Sequence, residues 1–150
     1  MRKDKGQIIN EIMVQFTSLA ENVALSRVLT SSVVTHWDIT ISQLEDLKVA
    51  VSEAVSNAII HGYENQKDGM VSMRFLCYET YLLIEIKDEG IGIANIQQAM
   101  EANFSSDKQR MGLGFSFMKM FTDELEVTSE VEKGTTVLLG KKMPAEKGKE

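Results

Sequence analysis

The apolar positions change period along this chain, and each change marks an element. Residues 11–17 alternate, with Ile12, Val14 and Phe16 on one side and Met13, Gln15 and Thr17 on the other, the pattern of a half-buried strand. Ser18-Leu19-Ala20-Glu21 has the form of a capping box and predicts a helix to about Trp37. Ser42-Gln43-Leu44-Glu45 repeats that form and opens a second helix, expected to end near His61-Gly62 with Gly62 as a left-handed stop. On this helix Leu44, Leu47, Val51, Val55 and Ala58 make one apolar stripe. Asp46, Ala50, Glu53 and Asn57 fall on another, roughly opposite, and so face away from the main core. Val49 and Ile60 flank that second stripe, which predicts a partly dry cleft rather than open solvent.

Residues 70–78 and 81–87 predict an antiparallel pair of strands joined by a short turn near Glu79-Thr80. Residues 95–102 predict a short helix. The polar stretch 104–111 has no clear period and predicts a flexible loop ending at Gly112. Apolar character resumes at 115–121 as a helix, and 125–129 with 135–139 make a closing hairpin across Glu132-Lys133-Gly134. This order predicts an α+β fold, a two-layer α/β sandwich with helices on one face of a mainly antiparallel sheet. One domain is expected over 1–143, followed by a polar tail, 144–150, expected to fray.

Bulk properties narrow the classes. The 150 residues suit one domain with a proper core, and 43% apolar with 25% charged residues is an ordinary globular balance. A formal charge of −6 argues against a general nucleic-acid binder, which normally shows a basic face. No stretch approaches the roughly 18 apolar residues that span a membrane, and the charged N-terminus lacks the apolar run of a signal peptide. The lone cysteine, Cys77, cannot form an internal disulfide, so a reducing cytoplasm is the expected compartment. It lies in a strand-like run and is expected to be a packed residue rather than a nucleophile.

Candidate chemistry follows the cleft. Glu53 and Asn57 are one helical turn apart, a carboxylate that can take a proton beside an amide oxygen that can bind a metal. A mid-helix asparagine has no propensity reason to be there, and magnesium favours oxygen ligands of this kind. Asp88-Glu89-Gly90-Ile91-Gly92 ends a strand and puts a carboxylate beside a backbone that a ligand can approach closely. Gly112-Leu113-Gly114 and Gly134-Thr135-Thr136 follow in order. The set points to a grip on ATP with a metal ion. Better-known phosphate loops do not fit: there is no G-x-x-x-x-G-K-[ST], Asn95 replaces the third glycine of a dinucleotide fingerprint, and the protein-kinase motif set is missing. On the residues alone, Glu53 also reads as an ordinary exposed helical glutamate and Asp88 as a turn aspartate.

Glu53-Ala54-Val55-Ser56-Asn57 resembles the N box of the GHKL (Bergerat-fold) ATPases, the superfamily of gyrase, Hsp90, histidine kinases and MutL. Asp88 to Gly92 resembles their G1 box, Gly112-Leu113-Gly114 the G2 box, and Gly134-Thr135-Thr136 the last. The likeness runs from the first strand to Leu139. Within the superfamily, residues 52–64 resemble the matching segment of the anti-sigma-F family of serine kinases, close to the sigma-B type; residues 16–22 and Arg27-Val28 also fit its first strand and helix.

The resemblance implies roles. Asp88 would accept the exocyclic amine of adenine, with Gly90 and Gly92 giving room. Thr135 would reach the adenine ring, Asn57 would hold Mg²⁺, and Glu53 would act as general base. Gly112 and Gly114 would meet the phosphates where a flexible lid joins a helix N-terminus. Lys108 and Arg110, just before them, would offset γ-phosphate charge, with Arg110 acting in the transfer itself. Arg27 would meet protein partners. The implied partners are a sigma factor of the sigma-F type and a small anti-anti-sigma protein as the phosphorylation substrate, acting on a homodimer, with no direct nucleic acid. The stretch 104–112 departs from the family, being a couple of residues shorter, with Ser105-Ser106-Asp107 in place of a threonine-rich start. A protein-binding module of the sigma-B type that holds ATP with little or no transfer stays open beside the kinase.

Overall fold

The alternation in the first strand continues through the sheet and decides where the helices go. The structure, a computed structural model, describes residues 5–101, 106–146 and 148, with the backbone alone for 106–110. The described elements are β1 (Ile8–Thr17), α1 (Asn22–Val33), a 3₁₀ turn (Val34–His36), α2 (Ile41–Asn57), a π-helical turn (Ala58–Gly62), β2 (Met70–Tyr78), β3 (Tyr81–Lys87), α3 (Ile96–Ala99), α4 (Ser106–Phe121), β4 (Glu124–Glu130) and β5 (Gly134–Lys142). The strands form one sheet in the order β1-β2-β3-β5-β4, and every neighbouring pair is antiparallel. The helices pack on one side of it, the α+β two-layer sandwich that the pattern predicts.

Val71, Met73, Phe75 and Cys77 of β2 and Leu82, Ile84 and Ile86 of β3 point to the helical side and are buried. They pack with Leu47, Val51, Ala54 and Val55 of α2 and with Phe115 and Met118 of α4. Cys77 belongs to this core, and burial pushes its thiol up to about 11, which makes it an inert packed residue. The other face of the sheet carries a second buried cluster of Leu76, Tyr78, Tyr81 and Leu83. Lys5 lies against it, with Nζ 3.9 Å from the centre of the Tyr81 ring and 2.9 Å from Glu124. Strands covered on both faces read as near-continuous apolar runs, which explains the composition of 75–78 and 81–84.

Several local expectations shift. Ser18 does not cap α1; its hydroxyl donates to Gln66 O and accepts from Gly69 N, and it is 1% exposed. It was recruited by a turn distant in sequence, so α1 starts at Asn22 without a side-chain cap. The second capping box lies two residues earlier than Ser42 suggests. Thr40 and Gln43 make both of its reciprocal bonds, because Thr40 has the extended backbone of an N-cap. Ala50 is fully buried rather than facing away from the core, since α4 packs along α2. Residues 106–111 are helical, not a loop. Lys108, Gln109, Arg110 and Met111 are all good helix formers, and helix can continue there without apolar periodicity. Beyond β5, Ala145 O accepts from Asp38 N, and Glu146 pairs with Trp37.

Candidate active site

α2 does not stop at Asn57 but loosens into the π-helical turn, where Tyr63 N reaches Ala58 O, five residues back, at 2.9 Å. This widened turn carries Gly62 beside the end of β3. Gly62 is not a left-handed stop; the positive φ values come later, at Glu64 and Asn65. It is required for space, because a Cβ there would lie 2.8 Å from Asp88 Cγ. Gly90 is required for the same reason: its Cβ would fall 2.0 Å from Gly62 O. Gly92 has φ +74°, and Gly134 has φ +113° with Asp88 O where its Cβ would stand. Three chain segments therefore meet backbone to backbone around one carboxylate.

That carboxylate is 5% exposed. Burial raises its pKa above the ordinary aspartate range, while backbone N–H groups of Gly90 and Thr135 pull it back down. Gly90 N donates to Asp88 Oδ1 at 2.9 Å, and Asp88 N donates to Thr135 O at 3.0 Å. Tyr63 braces the loop from outside. Its hydroxyl accepts from Glu89 N at 2.7 Å and donates to Met70 O at 2.6 Å. Ser129 braces it from β4, accepting from Ile93 N at 2.7 Å. Neither Tyr63 nor Ser129 is singled out by the sequence, because the loop each one braces is far along the chain from it.

Asp88 and Thr135 close one end of a cavity of about 760 Å³, and Asn57 stands on its wall with Ala54, Ala58, Gly92, Met111 and Phe115. This is the size of a site that encloses a nucleotide-sized ligand. The Asn57 amide nitrogen is buried and has no hydrogen-bond partner among the described residues, a cost unless a ligand meets the group. Glu53 is not part of the lining; it lies one turn back, at the α2–α4 contact. A Cβ on Gly114 would sit 2.9 Å from Glu53 Oε2 and 3.4 Å from both Asn57 amide atoms. Gly114 therefore lets α4 lie directly on the predicted base and metal ligand.

Gly112 and Gly114 are inside α4 rather than at its N-terminus, and the Gly112 carbonyl accepts from Ser116 Oγ at 3.0 Å. In this conformation their N–H groups belong to the helical ladder. The Lys108 and Arg110 side chains lie outside the described residues. Arg27 is apart from the cavity, on α1, and its guanidinium donates to Ser52 Oγ at 3.2 Å, beside Glu53 in sequence. His61 lines the cavity from the π-helical turn.

The donor set fits magnesium with a nucleotide. Among the described residues no cluster of three or more His, Cys, Asp and Glu side chains could hold a metal. One amide oxygen on the wall of a phosphate-sized space suits an ion that keeps waters and takes its remaining ligands from phosphates.

Residues 16–141 match the family described as histidine kinase-like ATPase domain. An anti-sigma F factor of Clostridium beijerinckii is 47% identical over 135 residues, covering 89% of this chain and 94% of the relative. That of a Geobacillus species is 44% identical, covering 88% and 92%. Among solved structures, the mycobacterial sensor histidine kinase MprB superimposes with a TM-score of 0.56 at 18% identity, covering 88% of this chain and 99% of that one. The catalytic domain of histidine kinase ThkA does so at 0.57 and 14%, covering 89% and 97%. At those identities the likeness is one of fold. The family match runs from the end of β1 to the end of β5, and the chain belongs to the histidine kinase-like ATPase domain family and, within it, to the anti-sigma F factors.

Proposed function

We propose that the protein is an anti-sigma factor that binds and inhibits a sigma factor of the sigma-F type. With Mg-ATP it phosphorylates a serine on a small anti-anti-sigma antagonist. One observation carries the catalytic half: Asp88 and Asn57 line the same cavity, and Glu53 lies one helical turn from Asn57. A base-recognition group and a metal ligand thus share one space with a carboxylate at its margin.

In this reading Asp88 accepts the adenine amine, Gly62, Gly90 and Gly134 let the chain close tightly around that carboxylate, and Gly62 and Gly92 line the cavity beside it. Thr135 completes the base contact. Asn57 offers its amide oxygen to magnesium, which when bound would neutralise phosphate charge. Glu53 takes the proton of the acceptor serine as that oxygen bonds to the γ-phosphorus and the bond from phosphorus to the ADP oxygen breaks. Arg110, with Lys108, balances the charge of the transferring group. For the Gly112 and Gly114 N–H groups to meet phosphates, the first turns of α4 must unwind. Two glycines there make unwinding easier, since each weakens a helix by about 1 kcal/mol relative to alanine.

Partner binding rests on other surfaces. β1 is an edge of the sheet, with Ile9 and Met13 exposed, and Leu25 and Val28 are exposed on α1. Apolar groups along the unpaired β1 edge support a homodimer through this edge. Arg27, on the same helix, is the proposed contact to sigma factor and antagonist.

The test is transfer from labelled Mg-ATP to partners co-purified from cells, with mass spectrometry of the products. Phosphoserine on a small co-purifying protein is the expected result. Bound partners without phosphate would remove the kinase and leave a binding module. Recovery of neither a sigma factor nor a small antagonist would sink the regulatory role.

A further inference from the structure

Ser129 and Thr135 face each other across the β4–β5 hairpin, and their hydroxyls are 2.8 Å apart. Ser129 Oγ has two other partners: it accepts from Ile93 N at 2.7 Å and donates to Gly134 O at 3.0 Å. A backbone N–H can only donate and a carbonyl can only accept, whereas a hydroxyl has one proton and two lone pairs. All three bonds are met in one arrangement. Ser129 gives its proton to Gly134 and receives from Ile93, so Thr135 must donate to Ser129. The Thr135 proton is then turned away from the cavity, and only lone pairs are left to face it. Asp88, ionised, is also an acceptor. These are the two polar side chains buried at this end of the cavity.

We propose that Ser129 sets the proton polarity of Thr135, so that the base end offers acceptors only and selects a purine with a 6-amino group over one with a 6-carbonyl. The inference rests on the adenine reading given above and adds the residue that enforces it. A 6-amino group brings N–H donors to these acceptors. A 6-carbonyl places an acceptor where the amine placed a donor, and its one donor on this edge, N1–H, lies a position away, so an acceptor aimed at the exocyclic group is left unpaired. Ser129 is a positioning residue: it acts on the ligand through Thr135 and also braces the loop at Ile93.

The experiment is calorimetric titration with ADP and with inosine diphosphate, which keep ribose and phosphates the same. The wild type is expected to prefer ADP. Ser129→Ala frees the Thr135 hydroxyl to rotate and donate, so the ratio of the two affinities should shrink by about fivefold, the share of one neutral hydrogen bond. Ser129→Thr keeps the hydroxyl and should keep the wild-type ratio. Thr135→Val should shrink the ratio as Ser129→Ala does, and it supplies an independent answer should Ser129→Ala not fold. If Ser129→Ala weakens both nucleotides equally, or Thr135→Val keeps the wild-type ratio, the proposal is overturned. A wild type that binds neither nucleotide would instead overturn the adenine reading itself.

Discussion

The two ends of the cavity differ in how finished they are. At the end proposed for the base, Asp88 has Gly90 N as a donor, Gly62 abuts its carboxylate, Gly134 abuts its backbone carbonyl, and Tyr63 and Ser129 brace the loop from both sides. At the other end, the Asn57 amide nitrogen is buried without a partner among the described residues, and Gly114 brings α4 to where a Cβ would stand 2.9 Å from Glu53 Oε2. On the reading proposed above, recognition is prepared in advance, whereas the Asn57 amide is left for a ligand to meet. The difference is physical. A base is selected by rigid shape and fixed donors and acceptors, but phosphoryl transfer needs a metal and phosphates to complete its own electrostatics.

The sharpest test separates the ends chemically. Glu53→Gln should lower phosphate transfer by about 10²- to 10⁴-fold, measured in single-turnover assays, with nucleotide affinity unchanged. Loss of nucleotide binding in this variant would mean that the two ends are not separable.

Asp88→Asn probes the finished end, and ADP affinity by calorimetry should fall by about 10- to 100-fold, since a charged acceptor is lost. The wild type should also show a pH signature. Burial raises the Asp88 pKa above its unfolded value, so the folded protein holds a proton that the unfolded chain has released. Stability of the ligand-free protein therefore falls as pH rises through that window and is flat above it. ADP affinity should move the other way, rising as the carboxylate ionises. Both trends should vanish in Asp88→Asn; their persistence would assign them to another group.

Asn57→Ala probes the unfinished end with the smallest effect. The magnesium-dependent part of ATP affinity should fall by about tenfold, the worth of one ligand contact. The ligand-free protein should gain on the order of 1 kcal/mol in thermal or denaturant unfolding, because a buried unpaired amide is removed. A loss of stability would show that the amide already has a partner in solution.

Legibility in the sequence follows the range of the interactions. β2, β3 and the closing hairpin are readable because strand alternation and turn chemistry act over a few residues. The Glu53–Asn57 pairing is readable because helical geometry is local. The first capping box fails because Ser18 bonds to a turn at Gln66 and Gly69. Within the loop expected at 104–111, residues 106–111 are helical, because good helix formers at 108–111 carry α4 without an apolar period to signal it. Tyr63 and Ser129 carry no signal for the loop they brace; the loop groups they hold, Glu89 N and Ile93 N, are 26 and 36 residues away.

The sequence by itself determined the periodicities, the order of the strands along the chain, the residues that carry charge or metal-binding oxygen, and through its glycine elements the family it resembles. Each of these follows from spacing or composition, which survive without contacts. Only the tertiary structure decided that Asp88 is enclosed by Gly62, Gly90 and Gly134, that α4 lies on Glu53 and Asn57, and that the hydroxyls of Ser129 and Thr135 meet at 2.8 Å. Burial, close approach and hydrogen-bond direction belong to atoms brought together from distant parts of the chain, and they exist only once it has folded.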